Sequence, residues 1–170
     1  MNGPAAKSTI PTTYFFRHRS SAMEKSILLI NLTATLTLVG LIWFVQVVHY
    51  PLFVHVSESQ FPAFERDHQR LTTWVVAPLM LTEIATAAAL VFWRPAGVGL
   101  TVPVVGFGLV VLIWLITYRV QVPQHAALSV EYSEQVARQL VTGNWWRTAA
   151  WSARGLLVLL MIVQTWKMRA

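Results

Sequence analysis

The chain has 170 residues, enough for one domain, and is 55% hydrophobic with only 12% charged residues, about half the charge of an ordinary soluble domain. Its mean hydropathy of +0.53 points to lipid. The net charge of +6 sits on residues flanking apolar runs, which assigns it to topology and lipid headgroups and not to nucleic acid. With no cysteine, disulfides, thiolate metal sites, iron–sulfur clusters and thiol nucleophiles are excluded, so any metal site must use His, Asp, Glu or backbone oxygens.

Residues 1–25 are polar, with Pro4, Pro11 and the run RHRSS, and read as a disordered cytoplasmic tail. MEKSILLI from Met23 has the look of a natural bacterial start, which would make 1–22 a mis-called extension. The apolar run that follows is too long for the core of a signal peptide and lacks a small-residue cleavage site. Residues 26–170 then read as one all-α transmembrane domain, a four-span helix bundle. Span one covers 27–48, long enough to cross a hydrocarbon core of about 30 Å. Span two covers 73–93 with a kink expected at Pro78. RPAG at 94–97 is a tight turn, and span three covers 98–118. Span four is less apolar. Counted back from Lys167 it must begin near Asn144 and include Arg147 and Arg154. Gly143 suits the end of a preceding helix and Asn144 an N-cap. Before it, 131–141 reads as a short amphipathic helix on the membrane surface.

The two long loops fall on one side, and both termini with the RPAG turn fall on the other. The terminal side holds Lys7, Arg17, Arg19, Lys25, Arg94, Lys167 and Arg169. The long-loop side holds Arg66, Arg70, Arg119, Arg138, Arg147 and Arg154. The positive-inside rule therefore favours cytoplasmic termini, in a bacterial inner membrane, with the long loops facing out.

Residues 47–70, VVHYPLFVHVSESQFPAFERDHQR, gather His49, His55 and His68 with Glu58, Glu65 and Asp67 between two apolar runs. At about 1.5 Å of rise per residue, His49, Glu65, His68, Gln121, His125, Asn144 and Arg147 fall in one layer at the outer face. Helical steps agree. Gln46 and His49 share a face, as do Glu65, His68, Thr72 and Glu83, then Thr117, Gln121 and His125, then Asn144, Arg147, Trp151 and Arg154. Charged groups within a span face the bundle interior, so four polar stripes should converge on one cavity. Deeper in, Glu83 and Arg154 are expected to form a buried ion pair, either a lock between helices or a relay below the histidines. Pro51 should push Tyr50 out of helical geometry and leave His49 at a helix end.

Neutral imidazole is the commonest nitrogen ligand for Zn, Cu and Fe. His49, His68 and His125 are the candidate ligands, with Glu65 as fourth ligand or base. ERDH places Glu65 and His68 at i and i+3, but a ferritin-like diiron site needs two such pairs. A haem held by two of the histidines is an alternative, and so is a hydrogen-bonded network without metal. Tyr118, Gln121 and Trp151 are expected to line an apolar substrate slot, with Asn144 and Arg147 stabilising an anionic oxygen.

VPQHAAL after span three, followed by NWWRTAAW entering span four, resembles the pattern of small four-helix membrane proteins grouped with the anthrone oxygenases. There a Pro-x-Asn-x-x-Leu-like stretch precedes an Asn-x-x-Arg-like one, and His125 stands here where Asn is common. The resemblance carries over Pro123, Asn144 and Arg147. It implies a four-span bundle and an oxygenase acting on an aromatic or other lipophilic substrate. The rival expectation is a non-enzymatic subunit, small transporter or lipid-binding module whose polar layer serves packing or permeation. The expected partners are membrane lipids and a lipophilic small molecule.

Overall fold

The computed structural model describes residues 12–167, with side chains from residue 22 onward. It is all-α. Helix α1 spans Thr12–Phe44 and continues through a π turn, Val45–His49, into a 3₁₀ turn, Tyr50–His55. Helix α2 spans Phe61–Phe92. Helix α3 spans Thr101–Ile116 and passes through a second π turn, Thr117–Gln121, into α4, Val122–Leu128. Helix α5 spans Glu134–Lys167. Four helical segments are long and apolar enough to cross a membrane: Ala22–His55, Phe61–Phe92, Thr101–Leu128 and Glu134–Lys167. These four spans are those of an integral membrane protein. Around the bundle, α1 packs on α2 and α5, and α3 packs on the same two helices. Thus α1 faces α3 across the diagonal.

Two expectations at the helix ends are corrected. The backbone is already helical from Thr12, where a disordered tail to residue 25 was expected; residues 1–11 lie outside the described residues. No separate surface helix precedes span four. Residues 134–141 are the first turns of α5, which runs unbroken through Gly143 and Asn144. Glycine weakens a helix by about 1 kcal/mol, too little to end one that is packed on both sides. A Cβ at Gly143 would lie 3.5 Å from Gln121 Nε2, an ordinary contact, so this part of α5 packs beside the second π turn without requiring glycine. The RPAG turn is present, and Gly97 takes the left-handed conformation it requires, with φ 88°.

Both π turns lie just upstream of a proline. Pro51 and Pro123 lack an N–H, and their rings clash with the carbonyl four residues back in a regular helix. Widening the ladder relieves this. The Tyr50 N–H donates to the Val45 carbonyl and the Val122 N–H to the Thr117 carbonyl, each a five-residue step. Tyr50 consequently stays helical at φ −65° and ψ −41°, contrary to the expected displacement by Pro51.

The core is layered along the bundle axis. Tyr50, Phe53, Phe61, Leu128, Ala137 and Leu140 close the end nearest the long loops. Leu38, Ile42, Met80, Ile113, Ala150 and Trp151 form the middle. Leu28, Leu90, Val98, Val158 and Met161 close the terminal end. Between these apolar layers lie two polar ones. The deeper comprises Asn31, Thr35, Glu83 and Arg154, all buried. Glu83 and Arg154 do not meet in an ion pair. Thr35 Oγ1 donates to Glu83 Oε1 at 2.8 Å and Trp151 Nε1 to Oε2 at 3.0 Å, so both carboxylate oxygens are occupied. Arg154 Nη2 donates instead to Asn31 Oδ1. Asn31 Nδ2 donates in turn to Thr86 Oγ1 and to the Glu83 carbonyl. Asn31 thus ties the guanidinium to the backbone of α2, while other side chains hold the carboxylate. Gly106 on α3 makes room for the guanidinium, since a Cβ there would sit 3.2 Å from Arg154 Nη1.

Asn31→Leu preserves bulk but removes the sole hydrogen-bond acceptor of Arg154. It should lower stability by about 1–3 kcal/mol, the cost of stranding a buried polar group. An unfolding titration in mixed micelles, compared with wild type, measures it.

Candidate functional site

The outer polar layer is assembled from all four spans. The first π turn carries Gln46 and His49, and the second carries Gln121. From α2 come Glu65 and His68, from α4 His125, and from α5 Asn144 and Arg147.

Two sets of hydrogen bonds run through this layer, one around the histidines and one around Arg147. In the first, His49 Nε2 and His68 Nδ1 share a hydrogen bond of 2.9 Å with their rings stacked, and Thr72 Oγ1 lies 3.2 Å from the same Nδ1. His125 Nδ1 lies 2.5 Å from Glu65 Oε1, and His125 Nε2 lies 3.1 Å from the Tyr50 hydroxyl. Gln69 Nε2 donates to the His125 carbonyl at 2.9 Å, fixing α4 against α2. In the second, Arg147 Nη1 donates to Asn144 Oδ1 at 3.0 Å, Asn144 Nδ2 to Gln46 Oε1 at 2.9 Å, and Gln46 Nε2 to the Val141 carbonyl at 3.2 Å. Glu65 and Asn144 are fully buried.

Glu65, His68 and His125 form a group whose potential ligand atoms all lie within 4.8 Å of one another. One oxygen of Glu65, Oε2, is buried and makes no hydrogen bond. His68 Nε2 makes none either, its Nδ1 being engaged with His49 and Thr72. Two imidazoles and a carboxylate are a donor set suited to a divalent transition metal, non-haem iron among them. His49 lies outside that group and acts on His68 as an orienting partner, the role such neighbours take beside metal-binding histidines. A haem between His68 and either neighbouring ring does not fit: His49 and His68 stack with centroids 4.6 Å apart, and the tilted rings of His68 and His125 have centroids 5.3 Å apart, leaving no room for a macrocycle.

Below this group opens a cavity of about 350 Å³, within the range of small-molecule sites. Its polar head is formed by His68, His125, Tyr50, Gln121 and Arg147, and its apolar body by residues such as Leu38, Ile42, Met80 and Trp151. On α2 the wall runs from His68 to Met80, about 18 Å at the helical rise. The cavity is therefore elongated, polar at one end and apolar at the other. Arg147 lies over the Trp151 ring at 5.0 Å, a cation–π contact at the junction of the two parts.

Of the residues expected in the slot, Gln121 and Trp151 line it and Tyr118 does not. Tyr118 is 70% exposed on the outer surface of the bundle. Trp114, Thr117, Gln121 and His125 turn inward, which rotates Tyr118 to the side an aromatic belt occupies. Asn144 is no N-cap: it lies inside α5 and bonds Gln46 and Arg147. Tyr50 takes the aromatic place at the site. Its signal was present in the spacing, since Gln46, Tyr50 and Phe53 follow four- and three-residue steps. Asn31 and Thr35 were also missed, although they fall four apart on the buried face of span one.

Comparison with family models, curated proteins and solved structures yields no match to this chain.

Tyr50→Phe removes the hydroxyl beside His125 Nε2 and Gln121 Oε1 while keeping the ring in the outer core. It should cost about 0.5–1.5 kcal/mol, the net worth of a buried hydrogen bond, with the helical circular dichroism unchanged. Parallel thermal melts of wild type and variant read the difference.

Proposed function

We propose that this chain is a small membrane oxidoreductase of the oxygenase type, acting on a lipophilic substrate held in the cavity. The observation that carries the reading is the convergence of Glu65, His68 and His125 beside the polar head of the cavity, with the two histidines in its wall. In this reading the three hold one divalent metal of the Fe, Cu or Zn class. A metal at that place supplies coordination positions for oxygen chemistry beside the substrate. The orphaned Oε2 of Glu65 supports it, because a metal ion would give that oxygen a partner. His49 steadies His68, Tyr50 steadies His125, and Arg147 held by Asn144 faces the substrate's oxygen. Trp151 and Gln121 bound the slot. The resemblance to the anthrone oxygenase group points to the same chemistry.

The non-enzymatic alternative is favoured by the 2.5 Å contact of Glu65 with His125, which already pairs two of the groups. It leaves Oε2 of Glu65 and the cavity itself without a purpose. The apolar middle layer of Leu38, Ile42, Met80, Ile113 and Trp151 separates the two polar layers and speaks against a permeation path.

Metal analysis of the purified protein tests the proposal. It should carry about one metal ion per chain, as a three-ligand catalytic site holds, with no Soret band. His125→Ala and Glu65→Gln should abolish metal binding. His49→Ala should weaken it by roughly 10–100-fold, as loss of an orienting partner does. A wild-type protein that takes up no metal even after reconstitution would sink the metal site and the oxygenase reading with it.

For orientation, we propose cytoplasmic termini and an outward-facing histidine end, on the strength of the basic residues flanking the terminal side. A reporter active only in the cytoplasm should work when fused at residue 170 and fail at residue 130. The reverse pattern would invert the topology.

A further inference from the structure

The cavity holds a cation that no carboxylate among the described residues pairs with. Arg147 is 7% exposed and belongs to the cavity wall. Its only hydrogen bond runs from Nη1 to Asn144 Oδ1, a neutral acceptor. Nε is enclosed without a partner, and Nη2 donates to nothing. Among the described residues no carboxylate forms an ion pair with it. The other polar residues of the wall, His68, Gln69, Thr72, Thr73, Tyr50, Thr117, Gln121 and His125, include no acid. Glu65, the nearest acid of the layer, is not part of the wall and is held by His125. The Trp151 ring offsets part of the cost, but burying a cation without a counter-charge costs several kcal/mol, and such a group is rarely kept without a use.

The unused nitrogens specify the missing partner. Nη1 is held by Asn144 and Nε is enclosed by the protein, so Nη2 is the donor left open to the cavity. A cationic N–H donor at the head of an apolar slot calls for an anionic oxygen, which a carboxylate supplies. On the other side of the arginine the wall becomes apolar, through Trp151, Ile42, Leu38 and Met80.

We propose that the ligand of this cavity is a lipophilic carboxylic acid, bound as its carboxylate on Arg147 with its apolar body laid along Trp151 towards Met80. This rests on the reading that the cavity is the substrate site, and it adds the chemical class. A straight-chain fatty acid and an aromatic acid offer the same head group, and both meet the requirement.

The test uses the full chain in phosphatidylcholine nanodiscs, at a pH well above the carboxyl range. Thermal unfolding is followed with decanoate, 2-naphthoate, decanol and decylamine. A ligand that binds the folded state raises the midpoint in proportion to its affinity, whereas bilayer partitioning of a ten-carbon chain is shared by acid, alcohol and amine. At least one acid should raise the midpoint, and decanol and decylamine should not. Which acid does so tells the straight-chain from the aromatic source. The shift should vanish in Arg147→Gln and persist, reduced, in Arg147→Lys. A decanol or decylamine shift as large as that of the better acid overturns the proposal, as do no shift with either acid and an acid shift that survives Arg147→Gln. If Arg147→Gln does not fold, the wild-type comparison of acid with alcohol decides alone. Metal content of the same samples separates the two readings. An acid-specific shift without metal removes the oxygenase and keeps the acid site. Metal without an acid-specific shift removes the acid site and keeps the metal.

Discussion

Inside a hydrocarbon slab no water is available to a buried polar group, so each must find its partner within the protein. That constraint explains the layering. A single buried asparagine or glutamate on one helix would strand its neighbours. Here every helix of the bundle contributes to the outer layer, and the polar residues close on one another: Asn144 on Gln46, Arg147 on Asn144, Glu65 on His125. The apolar layers between them are equally shared, so helix register is fixed twice over. Sliding one helix by a single turn would set a polar layer against an apolar one.

Two prolines give the outer layer its shape. Pro51 and Pro123 sit on diagonally opposed spans, and each is preceded by a π turn. A π turn adds a residue to the helical circuit and shifts the face presented beyond it. On span one this allows His49 and Tyr50, adjacent in sequence, both to reach the site. On span three it carries the inward face through Gln121 to His125 on the far side of the disturbance. The prolines that looked like helix ends are therefore the means by which the helix delivers side chains past the point where a regular one would have turned them away.

This also decides what the sequence could reveal. Depth was legible, because the rise per residue is nearly constant whatever the local winding. His49, Glu65, His68, Gln121, His125, Asn144 and Arg147 were all placed in one layer from arithmetic, and they meet there. Facing was legible too, and was misread at two tyrosines: the steps Gln46, Tyr50, Phe53 and Trp114, Thr117, Gln121, His125 put Tyr50 inward and Tyr118 outward, but a helix end expected at Pro51 took Tyr50 off its face. Pairing was least legible. Glu83 and Arg154 are at matching depths on inward faces, yet Thr35 and Trp151 take the carboxylate and Asn31 takes the guanidinium. Two charges at one depth predict a shared neighbourhood; which acceptor a donor finds depends on third residues whose reach no periodicity encodes.

The two polar layers contain leftover hydrogen-bonding capacity of the same kind and differ in what adjoins it. In the deeper layer, Arg154 Nη1 has no partner, but it rests against the backbone of Gly106, where even a methyl group would crowd it. No ligand can arrive there, and the layer is confined to joining helices. In the outer layer, Arg147 and the two histidines border about 350 Å³ of space, with the unpaired oxygen of Glu65 beside them. Unspent polar groups facing a void can be completed by something that enters it. The same chemistry is structural at one depth and receptive at the other, and the difference is whether a cavity adjoins it: the deeper guanidinium lies against Gly106, while the outer one lines the space between His68 and Met80.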